Sequence, residues 1–312
     1  MPLDLEELLA AHEAATNTHH SEDLERLFAT AHVQRKLSDE QHKSIHDALK
    51  QRSSVRTQNL LTACAMPHAS NWLLCPPIPG LGLAVQSDAF RTALKFRLGL
   101  PLFDPEHPRL CPALSREGEA CGEKLDVFGD HALCCHFGTS RVFRHNNMRD
   151  ILYHTAKAAG LSAVVVEKKN QIPGTTKKPG DITVQQYHRG FASSAFDVTV
   201  AHPLQKKYVD VAMSGAGVAA QEAHDRKLLK SLEVCKAEGL HFVPLAWEST
   251  GGATDSVHAT VRSWTDLESA RGGYDPDTIR ENLYSQLSCC LQRHLAQAVI
   301  DRQPELSSSR AL

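Results

Sequence analysis

The stretch Pro179-Gly-Asp181-Ile-Thr-Val184 and a second one, Phe196-Asp197-Val-Thr-Val200, decide the fold of this chain. Each places one carboxylate at the start of a short β-branched run, which is the composition of a strand. Tyr187-His-Arg-Gly190 between them is turn-like, so the pair predicts an antiparallel hairpin. Asp181 and Asp197 would then face each other and repel unless a divalent cation lay between them, and Mg²⁺ prefers carboxylate oxygen. The alternative is that one aspartate caps a turn and the other forms a surface ion pair.

The composition is that of a globular protein. The 312 residues suffice for one large domain or two ordinary ones, and 42% are apolar while 22% are charged. No apolar run approaches the ~18 residues of a membrane span. The first residues, Met1-Pro-Leu-Asp-Leu-Glu-Glu7, are acidic and lack the positive start of a secretory signal. We therefore expect an intracellular protein whose nine cysteines are thiols or metal ligands rather than disulfides.

Charge is unevenly distributed along the chain. The formal net charge is −2, yet residues 141–230 contain fourteen Lys and Arg against seven Asp and Glu. A local charge of +7 around a few isolated carboxylates suits a site that holds phosphates together with a metal ion. A solvated basic surface would give the same count.

Apolar periodicity, caps and breakers divide the chain into three regions. The sequence of residues 1–105 predicts a helical N-terminal and linker region, in which a capping box starts a helix at Ser38. We expect this region to make protein contacts. Residues 106–140 hold four of the nine cysteines and are expected to form a Cys-Cys-His-Cys zinc knuckle. The sequence of residues 141–312 predicts a mixed sheet flanked by helices. The elements expected there are a helix over 141–157 with Phe143, Ile151, Leu152 and Ala156 inside, a strand over 161–166, the hairpin, a helix over 220–236, a strand over 240–247 and a closing helix capped by Asp275-Pro276.

The middle region has the spacing of a zinc site. Cys121, His131 and Cys135 are separated by nine and three residues, and Cys111 precedes them. Zinc takes four thiolate or imidazole ligands in a tetrahedron, and four protein ligands leave no open position, so its role would be structural. Cys134 or His136 could replace Cys135. The alternative is a set of buried thiols with a histidine at a helix start.

These motifs, in this order, resemble a known family. The helix Phe90–Gly99 precedes Cys111…Cys121-Gly…Gly129-Asp-His-Ala-Leu-Cys-Cys135, and then come Arg144-His145-Asn146 and Lys178-Pro-Gly-Asp181…Asp197-Val-Thr-Val. Over about residues 85–255 this is similar to the C-terminal part of site-specific non-LTR retrotransposon proteins, where a Cys-Cys-His-Cys zinc knuckle precedes a restriction-like endonuclease of the PD-(D/E)xK type.

The resemblance implies a restriction-endonuclease-like core and a role for each matching residue. Asp181 and Asp197 would bind catalytic Mg²⁺ or Mn²⁺, and Glu167 would assist. Thr199 stands where a lysine usually follows the second acid, so the lysine would come from the downstream helix as Lys227 or Lys230. The first motif reads Pro-Gly-Asp rather than Pro-Asp. No Asp-Asp turn of a reverse transcriptase occurs in the 312 residues, so the sequence is either part of a longer polyprotein or a standalone descendant.

Together these features predict a metal-dependent endonuclease that cleaves a DNA phosphodiester in the nucleus, with RNA as an alternative ligand. The phosphate backbone would be held by seven basic side chains: Arg144, His145, Arg149, Lys168, Lys169, Lys177 and Lys178. One rival hypothesis is a zinc-containing nucleic-acid-binding protein that has lost catalysis. Another is a remnant that serves protein contacts through the acidic helical N-terminus.

Overall fold

The computed structural model describes residues 10, 33–172, 178–208 and 215–303. The chain divides into two compact units, Met1–Gln58 and Asn59–Leu312. In the first, helix α1 spans Val33–Arg52, and Ile45 and Leu49 are exposed on it. The capping-box start at Ser38 is wrong: Gln34 to Leu37 are good helix formers, and they carry the helix upstream of Ser38.

The second unit is built around a four-stranded mixed sheet, which confirms the predicted mixed α/β fold at that level. The strands are β1 (Val165–Val166), β2 (Ile182–Gln185), β3 (Ser193–Ala201) and β4 (Leu240–Glu248), in the order β1-β2-β3-β4. The first two pairings are antiparallel and β3 is parallel to β4.

The described residues of the chain contain nine α-helices, counting α1 of the first unit. The other eight are α2 (Val55–Cys64), α3 (Asn71–Leu74), α4 (Ser87–Arg97), α5 (Asp130–Cys134), α6 (Ser140–Ala158), α7 (Val218–Ala237), α8 (Asp255–Gly272) and α9 (Pro276–Ile300). None of the helices in these residues is both long and apolar enough to cross a membrane.

Alternation along β3 sorts its side chains onto two faces. Phe196 and Val198 join a large core with residues of α6, α8 and α9, including Met148, Trp264 and Leu287. The opposite face packs against α7 through small residues such as Ala201, Ala220 and Ala223. Because the period of a strand is two residues, Ala195, Asp197 and Thr199 lie on the α7 face. Asp197 therefore lies between the sheet and α7.

Two predictions for this unit were wrong in detail, and one helix was missed. The strand over 161–166 is reduced to Val165–Val166, because a turn precedes it in which Ala163 has a φ of +44°. Phe143 is 55% exposed, whereas Arg144 takes the inner position on α6. Helix α8 was not predicted; its buried residues include Val257, Thr260, Val261 and Thr265, β-branched residues that have lower helix propensity.

Candidate active site and metal centre

Three acidic residues occupy one row across the sheet. Val166 pairs with Ile182, and Ile182 pairs with Phe196. At the next position of this register, Glu167 lies opposite Asp181, and Asp181 lies opposite Asp197. The backbone keeps this register, because the Glu167 N–H donates to the Asp181 carbonyl at 2.8 Å and the Asp181 N–H donates to the Phe196 carbonyl at 2.8 Å.

The glycine of Pro179-Gly-Asp181 is required by this packing. A Cβ atom built on Gly180 would lie 2.8 Å from the Phe196 carbonyl oxygen and 3.1 Å from two further backbone atoms of β3. Backbone cannot move aside as a flexible side chain can, so only glycine lets the chain approach β3 this closely. The departure from the Pro-Asp pattern therefore has a steric cause in this chain.

Asp181 is held by a backbone donor and by a histidine. Its Oδ2 accepts a hydrogen bond from the Val198 N–H at 2.7 Å, and its Oδ1 lies 3.1 Å from Nε2 of His145 on α6. The fixed backbone donor orients the carboxylate through Oδ2 and leaves Oδ1 to contact His145.

Asp197 pairs with Lys227. The Lys227 ammonium reaches across from α7 to within 2.6 Å of Asp197 Oδ2, and the Asp197 side chain is 13% exposed. Burial raises the pKa of Asp197, and Lys227 opposes that shift. Lys230, one turn further along the same helix, is exposed. Of the two predicted lysines, the structure brings only Lys227 to the carboxylate.

Glu167 is bound by two cations at the edge of the row. Arg149 Nη1 lies 2.6 Å from its Oε1, and Lys178 contacts its Oε2. The hydrogen bond from Lys178 lowers the pKa of Glu167 against the opposing effect of burial. Its backbone φ is +49°, a conformation that costs energy for a residue with a side chain. Such strain is typical of positions held for a function.

The remaining predicted phosphate contacts are scattered. Lys168 is half-buried, Lys169 is exposed, and Lys177 lies outside the described residues. Arg144 is 6% exposed, and its Nη1 donates a long hydrogen bond of 3.5 Å to the Leu133 carbonyl. Burial lowers its pKa to about 10. No carboxylate pairs with Arg144 among the residues that the structure describes.

A separate cluster brings together the predicted zinc ligands Cys111, Cys121, His131 and Cys135. One ligand atom of each lies within 4.8 Å of all the others. The Cys111–Cys135 and Cys121–Cys135 sulfur distances are 3.8 and 3.7 Å, and Cys121 Sγ lies 3.6 Å from His131 Nε2. A tetrahedron with Zn–S of about 2.3 Å and Zn–N of about 2.0 Å has an S–S edge of about 3.8 Å and an S–N edge of about 3.5 Å. The four residues could therefore hold a metal ion.

The alternative ligands are directed elsewhere. Cys134 Sγ donates to the His131 carbonyl at 3.6 Å, and His136 contacts Arg141. Asp126 positions the histidine ligand, because its Oδ2 accepts from the His131 N–H at 2.7 Å.

Two residues beside the cluster were missed by sequence reasoning. His202, directly after β3, is buried between Asp130 and Ser249, with its Nε2 3.1 Å from the Asp130 carboxylate. Arg302 donates from its Nε to Cys111 Sγ at 3.2 Å. No spacing signal could have found them, since they lie 72 and 191 residues from those partners.

Comparison with known proteins finds neither a family model nor a curated protein that matches this chain.

Proposed function

We propose that the chain is a metal-dependent DNA endonuclease of the PD-(D/E)xK type, with a restriction-endonuclease-like core and a structural zinc knuckle, related to non-LTR retrotransposon proteins. One observation carries the proposal. Glu167, Asp181 and Asp197 share one row of the sheet, and Lys227 reaches that row from the neighbouring helix. A nuclear site of action follows from the DNA substrate and belongs to the same proposal.

The donor set suits Mg²⁺ or Mn²⁺. Asp181 and Asp197 would hold the ion, because both offer carboxylate oxygens, the ligands that these hard cations prefer. Asp197 Oδ2 is buried, and Lys227 is its only ion-pair partner in the described part of the chain. When bound, such an ion polarises a scissile phosphate and lowers the pKa of nearby water.

The protein residues would divide the remaining work. The Val198 N–H would keep Asp181 oriented through Oδ2, and Oδ1, which contacts His145, would be the oxygen offered to the ion. Lys227 would offset the charge that grows on the phosphate in the transition state. It stands in for the lysine that Thr199 replaces, and it can do so because Asp197 and Thr199 both face α7. Glu167 would assist from the edge strand, where Arg149 and Lys178 hold it.

A basic cavity next to the row supports a nucleic-acid substrate. It has a volume of about 550 Å³, and Thr199 of β3 and His131 of the zinc cluster both line it. The cations that line it are Arg141, Arg144, Lys207 and Arg226. The buried Arg144 guanidinium lacks a carboxylate partner in the described residues, so a phosphate in this cavity would supply the missing charge.

The Cys111, Cys121, His131 and Cys135 cluster would hold zinc, and this part of the proposal rests on its edge lengths. Four protein ligands complete the tetrahedron, so the ion would stabilise the fold around it and take no part in the reaction.

A catalytically lapsed nucleic-acid-binding protein is the second candidate, and one observation favours it. Each acidic residue of the row contacts a basic side chain, His145, Lys227 or Arg149, and the three do not converge within 4.8 Å in the residues that the structure describes. A protein that had lost its catalytic metal would show carboxylates engaged by side chains in this way.

A plasmid-nicking assay separates the two candidates. Supercoiled DNA is incubated in Mg²⁺ or Mn²⁺ with the parent and with the variants D181N, D197N and D225N. The D225N variant is the control, because the Asp225 carboxylate is exposed on α7. The endonuclease requires nicking by the parent and D225N and none by the other two. Equal nicking by all four proteins would reject the assigned site. No nicking, with binding that falls steeply as salt rises, would support the lapsed binder.

A further inference from the structure

The chain returns to the zinc cluster at its last described residues. Helix α9 ends at Ile300, and the Arg302 side chain turns back into the protein, where it is 4% exposed. Its Nε donates to Cys111 Sγ at 3.2 Å. Its Nη1 donates to the Ala298 carbonyl at 2.7 Å, and its Nη2 donates to the Phe137 carbonyl at 3.3 Å. One guanidinium thus joins the end of α9 to the loop that follows Cys135.

The positive charge of Arg302 could be balanced by the thiolates of the zinc cluster. No carboxylate pairs with it among the described residues, and its two carbonyl partners are neutral. A buried guanidinium is costly unless a negative group faces it. Three thiolates, one neutral imidazole and one Zn²⁺ carry a net charge of −1, which is equal and opposite to that of arginine.

We propose that Arg302 is the counter-ion and outer positioning residue of the Cys111, Cys121, His131 and Cys135 centre. It stabilises the thiolate of Cys111 by hydrogen bonding and couples zinc binding to the C-terminal end of α9. Partners outside the ligand set orient the ligands, and losing one weakens metal binding. The inference rests on the zinc site of the proposed function and is independent of nuclease activity.

The coupling runs in both directions. Without Arg302 the metal centre would hold an uncompensated negative charge, and without the metal-bound thiolates Arg302 would be an uncompensated buried cation. Helix α9 supplies Leu287, Leu291 and Leu295 to the main core. Zinc removal should therefore destabilise the core as well as the segment that carries the ligands.

The test compares Arg302→Met and Arg302→Lys with the parent in the full-length protein. Arg293→Met is the matched control, because Arg293 lies on α9, shortly before Arg302, and donates to the Gly82 carbonyl at 2.8 Å, away from the cluster. Two properties are measured: the zinc dissociation constant in competition with a chromophoric chelator, and the thiolate-to-metal absorption of the Co²⁺-substituted protein.

Arg302→Met is expected to weaken zinc binding about 10- to 100-fold, with Arg302→Lys in between and Arg293→Met unchanged. The charge-transfer band of the Co²⁺ protein should move to lower energy in Arg302→Met, since a thiolate without its donor is more electron-rich. Should Arg302→Met fail to fold, the zinc affinity of Arg302→Lys decides the question, because lysine keeps the positive charge and lacks the planar guanidinium with its three donating nitrogens. Parent-like zinc affinity and absorption in the folded Arg302 variants would overturn the proposal, as would a parent that binds no zinc.

Discussion

Glu248 should make the stability of this protein fall as pH rises. It lies at the end of β4 and is 1% exposed, and its Oε1 accepts from the Ala219 N–H in the first turn of α7 at 3.1 Å. Burial raises its pKa to about 7 from an ordinary value of 4.5, although the Ala219 and Ala220 N–H groups oppose the shift. The same carboxyl therefore anchors the helix that brings Lys227 to Asp197.

The sign and the magnitude follow from the difference in pKa between the folded and unfolded chains. A carboxyl with a raised folded pKa favours the folded state fully below its unfolded pKa, and this contribution disappears as pH rises through the folded pKa. A rise from 4.5 to about 7 corresponds to about 3 kcal/mol of unfolding free energy, at about 1.4 kcal/mol per pKa unit. About 2 kcal/mol of this falls between about pH 5.5 and about pH 8.5.

Urea unfolding of the parent and Glu248→Gln, at several pH values and constant zinc, measures this contribution. Glutamine is close in shape and cannot ionise, so the stability of the variant relative to the parent should increase by about 2 kcal/mol from about pH 5.5 to about pH 8.5. Glu233→Gln, an exposed position on α7, should show no such trend. A stability difference between Glu248→Gln and the parent that stays constant with pH would refute the reasoning.

Three further changes test the two candidate sites. Lys227→Met should lower the rate of plasmid nicking by about 10²- to 10³-fold, whereas Lys230→Met should leave it unchanged, because only Lys227 reaches Asp197. Gly180→Ala should lower the free energy of unfolding in urea by about 1 to 3 kcal/mol, since its Cβ would lie 2.8 Å from backbone. Cys135→Ser should abolish stoichiometric zinc binding measured by atomic emission, and Cys134→Ser should preserve it, because only Cys135 joins the cluster.

Each of these three predictions would be contradicted by a specific result. Equal nicking rates for the two lysine variants would remove Lys227 from the site. For the glycine, the control is Gly80→Ala, where an added Cβ meets nothing within 4 Å. Equal stability losses at the two glycines would show that the close approach to β3 is not what requires Gly180. Zinc retained by Cys135→Ser, or lost by Cys134→Ser, would reassign the ligand.

Local patterns in the sequence determined a large part of this structure. β-Branched runs around a turn predicted the β2–β3 hairpin, and the step from Asp181 to Asp197 gave two carboxylates opposite each other. Apolar periodicity and caps predicted α6, α7 and α9, and the Asp275 side chain does accept from the Thr278 N–H at 2.8 Å. Cysteine and histidine spacing named the four clustered ligands. These signals are readable because caps, turns and periodicity act over a few residues.

Only the tertiary structure decided the rest, because the deciding contacts join distant parts of the chain. Two lysines three residues apart look alike in sequence, and the position of α7 over β3 selects Lys227. Arg144 would be expected in solvent, yet the packing of α6 buries it beside a cavity. Arg302 carries no sequence signal at all, and its place at Cys111 follows from where α9 ends in space. The charge balance of both candidate sites is thus a property of the fold, because the paired groups come from different elements.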